Sequence, residues 1–259
     1  MYGQARERFS VSFSGTGELI LEYPDGTDEA TGIYPSVAEK DQAALFAQTT
    51  TGQSLLMQVF NRSIYDERTK LINQRAARSL IAKAFDRLMR LKCTCTVSVL
   101  VLDMNHFRNW NNDPSFGHAV GDLVMEWFGE ILRLRTRASD IVSRWSTGDE
   151  FVIVTTASEA PAGRRIARDR DQRDSVDILK NGHMVADRIL MAAREGVIHY
   201  KDNLLRQTTT IGVASAFLKP GQMPQDLFQT LYERADRVLS AGKANDQRDQ
   251  VHLAELLTF

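Results

Sequence analysis

Two carboxylates stand side by side in Ser146-Thr147-Gly148-Asp149-Glu150-Phe151, a tight polar turn that runs straight into the apolar stretch Phe151-Val152-Ile153-Val154. Upstream, the apolar run Val97-Ser98-Val99-Leu100-Val101-Leu102 ends abruptly in Asp103, so a third carboxylate is delivered from the end of a second strand. If those strands are neighbours, the three acids converge. An acidic trio with little positive charge around it repels itself unless a divalent cation neutralises it. Mg²⁺ with oxygen ligands is the usual companion of nucleotide phosphates, so the chemistry to expect is metal-assisted work on a phosphorylated substrate.

The elements that must position those acids are legible in the hydrophobic periodicity. Residues 141–145 and 151–156 form the arms of a hairpin about the acidic turn, and the alternating run 208–217 supplies another strand. Helical spacing covers 74–91, 176–194 and 227–239. A further helix opens at Gly121-Asp122 and carries Leu123, Val124, Trp127, Phe128, Ile131 and Leu132 on its apolar side. An Asn-rich loop with Pro114 and Gly117 precedes it. The Arg- and Asp-dense stretch 163–174 reads as a solvated helix or loop. Ahead of all this, residues 9–13 and 18–23 alternate as strands. Leu55, Leu56, Val59, Phe60 and Ile64 then mark one face of a helix, which must bury against its own domain or against the same helix of a second chain. Mixed strands and helices joined by hairpins give an α+β fold, a mainly antiparallel central sheet flanked by helices. The division falls into a β-rich segment with a signalling-type helix, 1–64, and a larger domain, 65–259.

At 259 residues the chain can bury a core sufficient for one large or two small domains. A net charge of −1 argues against gripping long nucleic acid through phosphate neutralisation and leaves a small nucleotide open as a partner. The only cysteines, Cys93 and Cys95, alternate on a strand-like segment without zinc-ligand spacing, which points to buried thiols in a reducing cytoplasm. No charged-then-apolar leader opens the sequence, and no apolar run approaches the roughly 20 residues needed to span a bilayer. A cytoplasmic location without a membrane span is the expectation.

Several separated motifs together resemble the GGDEF family of diguanylate cyclases. Asp66-Glu67-Arg68-Thr69-Lys70-Leu71-Ile72-Asn73-Gln74-Arg75 is similar to the family's opening D-x-L-T-G-L-x-N-R-R, and Asp103-Met104-Asn105-His106-Phe107-Arg108 to its D-x-D-x-F-K. Asn111, Gly117-His118 and Gly121-Asp122 follow like N-D-x-x-G-H-x-x-G-D, and then comes the acidic turn itself. Thr210-Ile211-Gly212-Val213-Ala214 resembles S-I-G-V-A, and the stretch from Ala235-Asp236 to Lys243 resembles A-D-x-A-L-Y-x-A-K. The resemblance implies a palm-like sheet, ferredoxin-like and shared with nucleotidyl cyclases and polymerases. It also implies the condensation of two GTP into cyclic di-GMP with release of two pyrophosphates, by a homodimer in which each subunit holds one GTP.

It further implies roles for residues. Asp103, Met104 and Glu150 would hold Mg²⁺ or Mn²⁺, with Asp149 beside them completing the catalytic acids. Asn111 and Asp122 match positions that grip guanine. A carboxylate accepts from N1–H and N2–H together, a pair of donors the adenine edge lacks. Asp122 would equally serve as the N-cap of its helix. Phe107 and Arg108 fall where backbone amides meet the terminal phosphates. Lys243 matches a lysine that reaches the triphosphate, and Arg248 stands in for the arginine after it. Arg137 and Asp140 resemble the R-x-x-D product-inhibition site, and a surface ion pair fits that spacing as well.

The chain also departs from the family. Thr147 replaces the first signature glycine, and Ser146 is an additional turn residue. Asn105 replaces an Asp, Lys70 a Gly and Gln247 the in-register phosphate Arg. Extra residues before Gly117 make Asn112 an alternative to Asn111, and 157–206 is longer than usual. Two other readings therefore stand beside the cyclase: a catalytically impaired module that binds GTP or cyclic di-GMP for regulation, and a cyclase with a different nucleotide choice.

Overall fold

The structure, a computed structural model, describes residues 10–13, 19–22, 28–30, 64–90, 93–114, 116–146, 148–158 and 171–259. The chain divides into two compact units, Met1–Glu67 and Arg68–Phe259. In the first, β1 (Ser10–Phe13), β2 (Leu19–Glu22) and β3 (Asp28–Ala30) form an antiparallel sheet in that order. Both expected strands are present, and β3 is an addition. Leu55, Leu56, Val59 and Phe60, the proposed helical face, lie outside the described residues.

The second unit is built on β5 (Cys95–Met104), whose burial on both faces explains its near-continuous apolar character. It pairs antiparallel with β10 (Thr209–Leu218) on one side and β7 (Glu150–Ser158) on the other, and β7 pairs antiparallel with β6 (Ile141–Trp145). The edges are parallel: β4 (Ile72–Asn73) joins β6, while β11 (Val251–Leu253) and β12 (Leu257–Thr258) join β10. The short β8 (Ile198–Tyr200) and β9 (Asn203–Leu205) make a separate hairpin.

Strand alternation divides the core in two. Leu100, Leu102 and Met104 face one layer, where Val120, Val124, Phe128 and Leu132 of α3 (Gly117–Arg135) and Val185 and Ile189 of α4 (Asp171–Glu195) pack. Val97, Val99 and Val101 face the other, against Ala77 and Ile81 of α1 (Gln74–Arg90) and Leu231, Ala235 and Leu239 of α5 (Leu227–Ala244). Phe128 and Phe151 meet edge to face with centroids 5.0 Å apart, both fully buried, each contributing roughly 2–3 kcal/mol by leaving water. At Gly212 an added Cβ would lie 2.1 Å from the Ala235 carbonyl oxygen, so α5 rests directly on the backbone of β10. Cys95 is buried, which pushes its thiol up to about 11, and Cys93 is half-buried; both are free.

Two expectations need correction. The Asn-rich segment is not all loop, because Arg108–Asn112 forms a short helix, α2. Helix α3 starts at Gly117, a full turn before Gly121-Asp122, because Val120 and Gly121 already bury against the core. Asp122 is therefore inside the helix, and Phe116 occupies the N-cap position in place of an acid. Among the described residues no helix is long and apolar enough to cross a membrane.

Candidate active site

Asp103 and Glu150 are direct cross-strand partners at the ends of β5 and β7. Alternation puts both on the side of Val101 and Val152, the layer that α5 covers. From the last turn of α5, Lys243 reaches Asp103, Nζ to Oδ1 2.7 Å. Burial raises the Asp103 carboxyl and Asp149 raises it further, against the hydrogen bond and charge of Lys243 and the charge of Arg248, which lower it. Glu150 is raised by burial first, then by Asp103, Asp236 and Asp149, with Lys243 opposing. Asp149 thus acts on both Asp103 and Glu150, and Asp103 acts on Glu150, at the strand ends. Asp236 and Tyr232 of α5 are further neighbours that the sequence did not mark as part of the site.

Beside this acidic end lies an open cavity of about 330 Å³, lined among others by Phe107, Arg108, Asn111, Asp122 and Asp149. Four separate stretches of sequence meet there. Asn111, on α2, is half-buried and packs onto α3: a Cβ at Gly121 would fall 2.0 Å from its Oδ1, so only glycine admits it. Asn112 is exposed and does not line the cavity. Behind α2 runs a fixed chain of contacts. Trp110 Nε1 donates to Gln207 Oε1 (2.7 Å), and Gln207 Nε2 donates to the Asn105 carbonyl (2.8 Å) just past the tip of β5. Asn105 is itself held, donating to Thr208 Oγ1 at 2.9 Å and accepting from Thr210 Oγ1 at 2.7 Å. The position where the family carries an acid is here a neutral, buried hydrogen-bond hub.

A scan against protein families matches residues 63–203, more than half of the chain, to the diguanylate cyclase GGDEF domain. This chain belongs to the GGDEF family. Among curated relatives, diguanylate cyclase A of Treponema denticola is 29% identical over 160 residues, covering 62% of this chain and 36% of its own length. Diguanylate cyclase DgcZ of Escherichia coli is 24% identical over 166 residues, covering 64% and 47%. The chain thus spans between about a third and a half of these relatives. Among solved structures, the coiled coil and GGDEF domain of DgcB from Caulobacter crescentus, in complex with c-di-GMP, shares the fold at a TM-score of 0.60 and 20% identity. It covers 85% of this chain and 100% of that one.

Other motif residues of this GGDEF chain have plain placements. The Met104 side chain is buried, so only its backbone carbonyl is available to a cation, and that carbonyl accepts from Phe107 N at 3.4 Å. The Phe107 amide is therefore spent within the turn. Arg108 is exposed at the start of α2. Arg248 acts on Asp103 through its charge. Arg137 and Asp140 do not form a surface ion pair. Asp140 is buried, its Oδ2 accepts from the Arg137 backbone N–H at 2.8 Å, and its Oδ1 has no partner, while Arg137 is exposed. Arg144 clamps the signature turn from inside, its Nε and Nη2 donating to the Gly148 carbonyl at 3.0 and 2.9 Å. Thr147 lies outside the described residues, and Ser146 takes a left-handed backbone, φ 62°.

Sequence reasoning did not single out Arg68, which lines the cavity and is ion-paired with Asp122. Its signal was a charge at the third place of the opening motif, where the family has leucine. His118 and Met125 also line the cavity.

The donor set can be tested against a divalent cation. Among the described residues no three His, Cys, Asp or Glu side chains form a ready cage. Mg²⁺ in nucleotide enzymes rarely has one, taking one or two carboxylates and completing its shell with water and phosphate oxygens. Two cross-strand carboxylates, each raised first by burial and then by neighbouring acids, with a backbone carbonyl alongside, fit that demand.

Proposed function

We propose that this protein is a diguanylate cyclase, condensing two GTP into cyclic di-GMP and releasing two pyrophosphates, with one GTP held by each subunit of a homodimer in the cytoplasm. The observation that carries the reading is the meeting of Asn111, Asp122, Phe107, Arg108 and Asp149 in one cavity beside the Asp103–Glu150 pair. Asn111 and Asp122 face the base, and Asp122 accepts from guanine N1–H and N2–H. Asp103, Glu150 and the Met104 carbonyl would hold Mg²⁺ or Mn²⁺, with Asp149 adding negative charge beside them, and Lys243 and Arg248 would meet the triphosphate. When bound, the metal lowers the pKa of the attacking 3′-hydroxyl and offsets charge on the α-phosphate and departing pyrophosphate. The DgcB domain that shares this fold was solved with c-di-GMP, which supports a ligand of that class here.

The test is incubation of the purified chain with GTP and Mg²⁺ and separation of the products. Cyclic di-GMP that disappears in Glu150→Gln supports the reading; GTP returned intact by a dimer removes it. Leu56 and Phe60 changed to polar residues should weaken dimerisation and turnover together. One observation favours a second reading, a module that binds GTP or cyclic di-GMP without turnover. Ser146 holds a left-handed backbone in the altered turn, a conformation costing about 1 kcal/mol for a residue with a Cβ. Binding without conversion distinguishes it. Offering ATP beside GTP tests a different nucleotide choice.

A further inference from the structure

Arg68 and Asp122 line the same cavity and are joined by an ion pair through Asp122 Oδ1, yet their side chains remain 48% and 45% exposed. The pair is not a buried structural bridge, and an exposed pair of this kind adds little to stability. What it does is set a guanidinium directly beside the carboxylate assigned above to the base. Pairing spends only part of either group, since a carboxylate offers about four acceptor sites and a guanidinium five donors.

We propose that Arg68 is a second base-reading residue, donating to guanine O6 while Asp122 accepts from N1–H and N2–H. The proposal rests on the guanine-nucleotide reading of the site and deepens it. Along its pairing edge guanine presents an acceptor, O6, followed by two donors, N1–H and the N2 amino group. A guanidinium beside a carboxylate presents donor then acceptor, the complementary order, and arginine is well suited to guanine's O6. Adenine inverts both contacts, setting its 6-amino group against Arg68 and its N1 lone pair against Asp122. A carboxylate alone reads only the N1 and N2 side. Arg68 makes the 6-position count.

The experiment measures equilibrium binding of three nucleotides with Mg²⁺ to the full chain and to Arg68→Leu and Arg68→Lys: GTP, inosine triphosphate, and the triphosphate of 2,6-diaminopurine riboside. The last keeps the 2-amino group but carries an amino group at C6; inosine keeps O6 and N1–H but lacks the 2-amino group. In Arg68→Leu, GTP and inosine triphosphate should each weaken about tenfold, the size of a lost base-edge contact, while the diaminopurine nucleotide is unchanged or tightens. Arg68→Lys, which keeps a donor, should retain part of the preference. Unchanged ratios in both variants overturn the proposal and leave the guanine site standing. Tighter GTP binding in Arg68→Leu also overturns it, making Arg68 a latch on Asp122. A parent chain that binds no GTP removes the reading of the site itself, and this inference with it.

Discussion

Lys243 Nζ lies 2.7 Å from Asp103 Oδ1, tying the last turn of α5 to the tip of β5. A cation at a helix C-terminus is favoured by the helix dipole, so the ammonium is held where it can pass from carboxylate to incoming phosphate. Lys243→Ala should lower affinity for a non-hydrolysable GTP analogue about tenfold, roughly 1.4 kcal/mol. Calorimetric titration reads this directly. Unchanged affinity would restrict Lys243 to screening Asp103.

Glu150 has its carboxyl raised by burial and by three neighbouring acids. With a folded-state pKa above the unfolded one, this group favours folding while protonated and loses that contribution as pH rises through the raised value. Glu150→Gln should therefore melt a few degrees higher than the parent at neutral pH without metal. The difference should vanish below the ordinary glutamate value, where both states of the parent are protonated. Thermal melts across pH check the sign, and the same variant should form no cyclic di-GMP.

Gly121 leaves room for Asn111, whose Oδ1 an added Cβ would meet at 2.0 Å. Gly121→Ala should displace that side chain and weaken GTP binding at least fivefold. Replacing glycine inside a helix gains about 0.5–1 kcal/mol of intrinsic propensity, so stability should hold or rise. Stability lost in step with affinity would show that the displaced amide disturbs more than the site.

Gly212 bears the backbone of α5. Gly212→Ala pushes against a carbonyl oxygen that cannot turn aside, and overpacking of this kind costs about 1–3 kcal/mol. Urea unfolding should show that loss. Because α5 also delivers Lys243, GTP affinity should fall as well.

The sheet and its acids were legible because β5 and β7 advertise themselves: an apolar run cut off by Asp103, and a polar turn ending in Glu150 ahead of another apolar run. The partnership of Arg68 with Asp122 was not, since it depends on where α3 begins. Gly121-Asp122 has the composition of a helix start, but the burial of Val120 extends the helix back to Gly117. Strands β11 and β12 were too short for alternation to register, and their pairing is parallel and supplied by tertiary contact with β10. Asn105 looked like a lost acid; only the positions of Thr208, Thr210 and Gln207 reveal its structural work.

The grip of Arg144 on the Gly148 carbonyl spans the turn from one arm of its own hairpin, while Trp145 stays paired with Glu150. The anchor lies beyond Ser146, so Glu150 keeps its register on β6 although Ser146 takes a left-handed backbone. A hairpin fastened across its own turn keeps Glu150 in step with Asp103 on the neighbouring strand.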